Sequence, residues 1–217
     1  MKNIGRLVIA LGSLVATAAA QVILNFDDLS LPDFGDIPAS YGDGLDPNIP
    51  DLQYRTFSAA DGTTLTAQLD FWNNDYGDLT KIAFASSDGN VAEITFVPAP
   101  GYGVRLISFD MAGWLHQNRT NTIMRLVDVS GNVLLDFAAL GPVLIQGDFS
   151  GPQHSTFTPD LTHFGTVRLQ WGTDWNIGLD NVRFQAVIPE PSTWTLLALG
   201  VATLTFAARR RFLWPGW

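Results

Sequence analysis

Short alternations of apolar and polar residues dominate the chain between about residues 21 and 188. Val22-Ile23-Leu24-Asn25-Phe26 places Val22, Leu24 and Phe26 on one side of an extended segment. Thr166-Val167-Arg168-Leu169-Gln170-Trp171 alternates without a break, with Val167, Leu169 and Trp171 inward. A period of two is that of a half-buried strand. The same pattern predicts strands over 65–71, 81–85, 91–97, 104–111, 123–129, 133–137 and 177–186. Turn signals separate them at Asp61-Gly62, Ser87-Asp88-Gly89-Asn90, Pro100-Gly101 and Ser130-Gly131-Asn132. No segment here carries a 3.6-residue apolar stripe. The expected fold is all-β, an antiparallel β-sandwich of jelly-roll type. Residues 30–57, with Pro32, Pro38, Pro47 and Pro50, read as a long loop wrapping the sandwich edge.

One strand breaks its own phase. Ile177 and Leu179 share one parity, while Val182, Phe184 and Ala186 share the other. A β-bulge at Asp180-Asn181 would return both halves to one buried face.

The two ends have a different character. Lys2 and Arg6 precede an apolar stretch from Leu7, and Ala18-Ala19-Ala20 supplies small side chains before Gln21. This is the layout of a secretory signal read by signal peptidase, with Ala18 and Ala20 at the recognition positions. The stretch from Leu7 to Ala20 falls short of the ~20 residues that span hydrocarbon, which favours a cleaved signal over an anchor. At the other end, Pro189-Glu190-Pro191-Ser192-Thr193 precedes an apolar run from Trp194 to Ala208, followed by Arg209, Arg210 and Arg211. Counted from Ser192, a helix at ~1.5 Å per residue would measure about 26 Å, a marginal span helped by interfacial Trp194 and snorkelling arginines. The arginines would hold the C-terminal end in the cytoplasm.

The order of these three parts resembles the PEP-CTERM sorting signal of exosortase-processed bacterial proteins. The resemblance implies export from a Gram-negative-type bacterium and an inner-membrane intermediate. Cleavage near Pro189-Glu190-Pro191 by an exosortase-type enzyme would then deliver the protein to the cell surface or extracellular matrix. Phe212 to Trp217 continue beyond the arginines, where such signals usually stop. The implied organisation is a signal peptide over 1–20, a β-sandwich over 21–188 and a sorting tail over 189–217 with a transmembrane helix at 194–208.

Composition narrows the role of the middle. Of 217 residues, 47% are hydrophobic and only 15% charged, and there is no cysteine. Disulfide frameworks, thiolate metal sites and cysteine nucleophiles are therefore excluded. Residues 21–188 hold 20 acidic and 7 basic side chains, a net charge near −13. Such a surface repels phosphate backbones and argues against nucleic acid as a partner.

Catalytic signatures are missing. His116, His154 and His163 lack a His-Glu-x-x-His spacing, and Gly147-Asp148-Phe149-Ser150-Gly151 has the wrong offset for a nucleophile elbow. Paired carboxylates of a glycosidase would arise by chance among so many acids. The reading is a non-catalytic surface or exopolysaccharide-matrix protein. Its first alternative is a carbohydrate-binding module, and its second a polysaccharide-active enzyme. Trp114 with Asn118, and Trp175 with Asn176, pair aromatic rings with amides at strand ends, the combination that stacks on and hydrogen-bonds to sugars. The same tryptophans equally suit a core beside ordinary loops.

Gly178 to Phe184 resembles the final strand of galactose-binding-like jelly rolls. There an acidic residue on that strand and another from the first strand commonly hold a structural calcium ion. The matching positions are Asp180, Asp27 and Asp28. Calcium takes oxygen ligands of this kind. The plainer alternative is a solvated strand end at Asp27-Asp28 and a bulge cap at Asp180.

Overall fold

The computed structural model describes residues 20–189 and Gly200. The strands are β1 (Val22–Leu24), β2 (Gly35–Asp36), β3 (Asp51–Ser58), β4 (Thr64–Thr66), β5 (Asp70–Trp72), β6 (Ile82–Phe84), β7 (Asn90–Val97) and β8 (Gly103–Gly113). They continue with β9 (Arg119–Asn121), β10 (Ile123–Asp128), β11 (Val133–Asp136), β12 (Val143–Ile145), β13 (Ser155–Phe157), β14 (Leu161–His163), β15 (Val167–Gly172) and β16 (Ile177–Val187). One sheet has the order β13-β8-β16-β6-β5-β2, with β1 also on β16 and β14 on β8. The second sheet runs β11-β10-β15-β7-β3-β4, and β12 pairs with β9 separately. Every one of these strand pairs is antiparallel.

The sandwich follows from the alternation. Leu52, Ile94, Phe96, Leu126, Leu169 and Trp171 point inward from the six-stranded sheet and are fully or almost fully buried. Leu106, Met111, Leu179, Val182 and Phe184 meet them from the other sheet in the same core cluster. The rings of Phe96 and Phe184 lie 5.0 Å apart between the layers. Turn chemistry holds too. Gly62, Gly89, Gly101 and Gly131 take φ of 74°, 78°, 85° and 88°, the left-handed region that glycine enters without steric cost.

The expectation for residues 30–57 needs correction. Asp51–Ser58 is an eight-residue strand between β7 and β4. Its inward residues Leu52, Tyr54 and Thr56 are buried, so the alternation was there behind a proline-rich approach. The single strand expected over 65–71 is two. β4 joins one sheet and β5 the other, with the chain crossing between layers at Ala67–Leu69. Strands β9, β12, β13 and β14 were not expected; each has three residues, too few to show a period.

The phase slip in β16 is a bulge. Asp180 pairs with Asp110 and Arg183 with Ser108, so β16 carries one extra residue there, and Asn181 takes φ of 53°. Leu179 and Val182 on either side of it are both fully buried. β8 answers immediately. Phe184 pairs with Leu106, so β8 has its own extra residue at Ile107. The two slips cancel, and the register beyond them matches the register before. β1 lies antiparallel to the C-terminal half of β16, with Leu24 opposite Val182, so the first and last strands are neighbours.

Of the terminal helices expected from the sequence, only Gly200 falls among the described residues, where it is helical, and the rest lie outside them. Among the described residues no helix is long and apolar enough to cross a membrane.

Candidate functional site

Trp114 and Trp175 come together at one end of the eight-stranded sheet. Trp114 follows β8 directly, Trp175 sits in the turn between β15 and β16, and Trp72 ends β5. With Phe34, Tyr76 and Phe84 they surround a small cavity of about 40 Å³ that Asn176 also borders. Trp72 meets Trp114 edge-on at 5.8 Å and Phe34 edge-on at 4.9 Å. Trp175 packs against Phe34 at 5.8 Å and Phe84 at 6.3 Å. Gly178 makes room for this cluster. A Cβ there would stand 2.6 Å from Ile82 Cγ1 and 2.8 Å from Tyr76 Cδ1.

Two features separate this cluster from an ordinary satellite core. The three tryptophans are only half-buried, and the Phe34 ring is 53% exposed above them. The flanking backbone is also strained. Phe34, Asp75, Leu115 and His116 have φ of 62°, 68°, 56° and 50°. Non-glycine residues pay for such conformations, and they concentrate at binding sites. The buried Trp114 Nε1 has no hydrogen-bond partner.

Of the residues expected to bind sugar, Trp114, Trp175 and Asn176 share this end, and Asn118 does not join them. Asn118 is tied to the loop at Gly147-Asp148, accepting from both backbone N–H groups at 2.9 and 3.3 Å and donating to the Asp148 carboxylate. Asn176 donates to Asp174 through its backbone and its side chain, at 2.9 and 2.7 Å. Phe34 and Phe84 escaped sequence reasoning, since nothing local connects either to the tryptophans. The histidines serve local contacts. His116 stacks on Phe149 at 4.1 Å, and His154 lies 2.7 Å from Asp78.

Asp180 sits at the β16 bulge, 4% exposed, and its buried Oδ1 has no partner. Burial, with Asp27 and Asp110 nearby, pushes its carboxyl up to about 7, against the pull of the Asn181 and Phe26 backbone N–H groups. Asp27 and Asp28 are exposed. Asp27 accepts from Asn25 at 3.0 Å, and Asp28 accepts from the Tyr41 hydroxyl. The lone Oδ1 suits one calcium ligand. The three carboxylates nevertheless do not form a ligand set: among the described residues no three acidic or histidine side chains are grouped to hold a metal ion.

For the sorting signal, Ala20 and Pro189 are exposed at the two ends of the described chain. Ala18, Glu190, Pro191, Arg209, Arg210 and Arg211 lie outside it.

No curated protein matches the chain at a significant level. Among solved structures, the enzymatically active domain of tailspike protein 4 from bacteriophage CBA120 is 16% identical, with a TM-score of 0.31 over 64% of this chain and 20% of that one. An isomalto-dextranase from Arthrobacter globiformis T6 is 11% identical, with a TM-score of 0.31 over 77% of this chain and 33% of that one. The family 11 carbohydrate-binding module of a Clostridium thermocellum cellulosomal cellulase is 10% identical, with a TM-score of 0.26 over 81% of this chain and 99% of that one. The chain thus spans a fifth to a third of the length of the first two. Such distant likenesses carry no argument about function. The tail is different: residues 187–211 match the family model of the PEP-CTERM protein-sorting motif, and the chain carries that motif.

Proposed function

We propose that this is a non-catalytic cell-surface or exopolysaccharide-matrix protein, made with a signal peptide over 1–20 and held in the inner membrane by helix 194–208 until its tail is cut. The observation that carries the reading is the sorting motif at 187–211, which marks the chain for exosortase sorting to the surface of a Gram-negative-type bacterium. The β-sandwich over 21–188 is the part delivered. Mass spectrometry of the mature protein from its native host tests both ends at once. The expected chain starts near Gln21 and ends near Pro189-Glu190-Pro191. An intact tail from Arg209 to Trp217 on surface protein would defeat exosortase processing. Replacing Arg209, Arg210 and Arg211 with glutamate should invert or scramble topology in a reporter fusion, by the excess of basic residues that cytoplasmic ends carry.

The aromatic end supports a second reading, carbohydrate binding within the matrix. Half-buried tryptophans with an exposed phenylalanine above them offer ring faces to the C–H faces of a sugar. Trp175→Ala and Trp114→Ala should each abolish retention on a polysaccharide gel, and Trp175→Phe should retain part of it. Unchanged retention, together with a loss of ~3–5 kcal/mol as for a truncated core aromatic, would make the cluster purely structural. Calcium at Asp180 with Asp27 and Asp28 is the rival reading of that carboxylate, set against a protonated carboxyl by the chelator melt in the Discussion.

A further inference from the structure

The outer face of the six-stranded sheet carries a row of polar side chains that crosses strands in register. Arg125 of β10 stands opposite Gln170 of β15, Gln170 opposite Glu93 of β7, and Glu93 opposite Arg55 of β3. Hydrogen bonds join the row end to end. Arg125 Nε donates to Gln170 Oε1 at 2.8 Å, and Gln170 Nε2 donates to Glu93 Oε2 at 2.5 Å. Arg55 grips the same carboxylate through Nε at 2.6 Å and Nη2 at 3.0 Å, and reaches Thr64 of β4 at 3.2 Å. At ~4.8 Å per strand the row from Arg55 to Arg125 is about 14 Å long. A second row lies two residues along, with Gln53 opposite Thr95 and Thr95 opposite Arg168. An open groove of about 740 Å³ lies over the second row and over the Arg55–Glu93 end of the first, and Arg125 stands beyond its lining at the far end of that row.

The groove is preorganised and rich in donors. Glu93 is 2% exposed and is gripped or approached by Arg55, Gln170, Thr95 and Arg168, so its oxygens are spent on the protein. Arg168 uses Nε and Nη2 on the Asp128 carbonyl, and its Nη1 lies 3.8 Å from Glu93 without a hydrogen bond. Arg125 commits only Nε. A guanidinium has five N–H donors, so both arginines keep several for a visitor. Two of the seven basic side chains in residues 21–188, Arg55 and Arg168, thus flank one saturated carboxylate, and a third, Arg125, ends the same row on Gln170, on a domain that is otherwise acidic. Asp51 and Asp128 sit at the rim. Asp51 is occupied by Gln53 at 2.7 Å, and Asp128 closes its own turn with Asn132.

We propose that this groove binds an extended polysaccharide segment bearing carboxylates, a uronic-acid chain. Its carboxylates would take the spare donors of Arg168 and Arg125, since planar guanidinium forks match that geometry, and its hydroxyls would meet Gln53 and Thr95. The site is separate from the tryptophan end and does not depend on it.

The test is binding of the purified full chain to oligogalacturonate and to a neutral glucan oligomer of equal length, by calorimetry at low salt and at 0.5 M salt. Oligogalacturonate should bind, weaken at high salt, and lose at least tenfold in affinity on Arg168→Ala or Arg125→Gln. Arg168→Lys should recover part of the loss. Arg183→Ala on the other sheet should leave affinity unchanged, and unfolding curves should show the groove variants folded. Equal binding of neutral glucan, full affinity in both folded groove variants, or an equal loss on Arg183→Ala would each overturn the proposal.

Discussion

Glu93→Ala should be among the most damaging single changes in the domain, costing about 3–5 kcal/mol and lowering Tm by roughly 10 °C. The carboxylate is buried, and Arg55 Nε and Nη2 and Gln170 Nε2 all donate to it. Removing it leaves two half-buried guanidinium groups and a buried amide facing a space with no acceptor. The loss exceeds the net worth of the ion pair, because the remaining charge keeps its desolvation cost. A triple change of Arg55→Met, Glu93→Leu and Gln170→Leu should therefore recover most of the stability, since no polar orphan remains among those three. Denaturant melts of the variants check both statements. A loss below 1 kcal/mol in Glu93→Ala would show that water already shares the work of the row.

The row also shows where sequence reasoning stops. Glu93, Gln170 and Arg125 lie on segments whose alternation is plain, and their outward parity follows from Ile94, Trp171 and Leu126 being inward. That they face one another depends on β15 lying between β7 and β10, a matter of topology. The fourth member, Arg55, lies on β3, inside the stretch whose prolines read as loop. Leu52, Tyr54 and Thr56 alternate correctly, but Pro50 and the residues before it suggested an irregular segment. The aromatic end was half legible for the same reason. Polar neighbours marked Trp114 and Trp175, while their meeting with Phe34 requires β2, β5 and β6 to line one edge of the same sheet. The β16 bulge was fully legible, because a change of parity within a single strand is a local signal. Its partner in β8 was legible in principle: Val104 and Leu106 share one parity and Phe109 and Met111 the other.

Asp180 at that double bulge predicts an unusual pH response. A carboxyl raised to about 7 in the folded chain holds its proton where the unfolded chain, at 3.8, has lost it. The folded state then binds more protons between about pH 4 and 7, so stability falls as pH rises through that window. With each pH unit worth ~1.4 kcal/mol, moving from pH 8 to pH 5 should add about 2–3 kcal/mol. Asp61, Asp128 and Asp160 have carboxyls held below the usual range by hydrogen bonds to Thr63, Asn132 and Arg105, and they work the other way only at lower pH. Asp180→Asn should raise Tm at pH 8 and flatten the rise on acidification, whereas Asp88→Asn, in an exposed turn, should do neither. Calcium makes the opposite demand. An ion at the unpaired Oδ1 would favour the ionised carboxylate, stabilise the domain at pH 8 and lose its effect as Asp180 is protonated. It would add ~2.7 kcal/mol at a hundredfold excess over Kd. Because Asp27 and Asp28 are engaged with Asn25 and Tyr41 and do not complete a ligand set, the expected melt at pH 8 is the same with calcium and with chelator. A chelator-sensitive melt that Asp180→Asn abolishes would instead assign the bulge to a cation. A melt indifferent to both pH and chelator would mean that water reaches Oδ1, and that the bulge serves only to keep Val182 and Phe184 in the core.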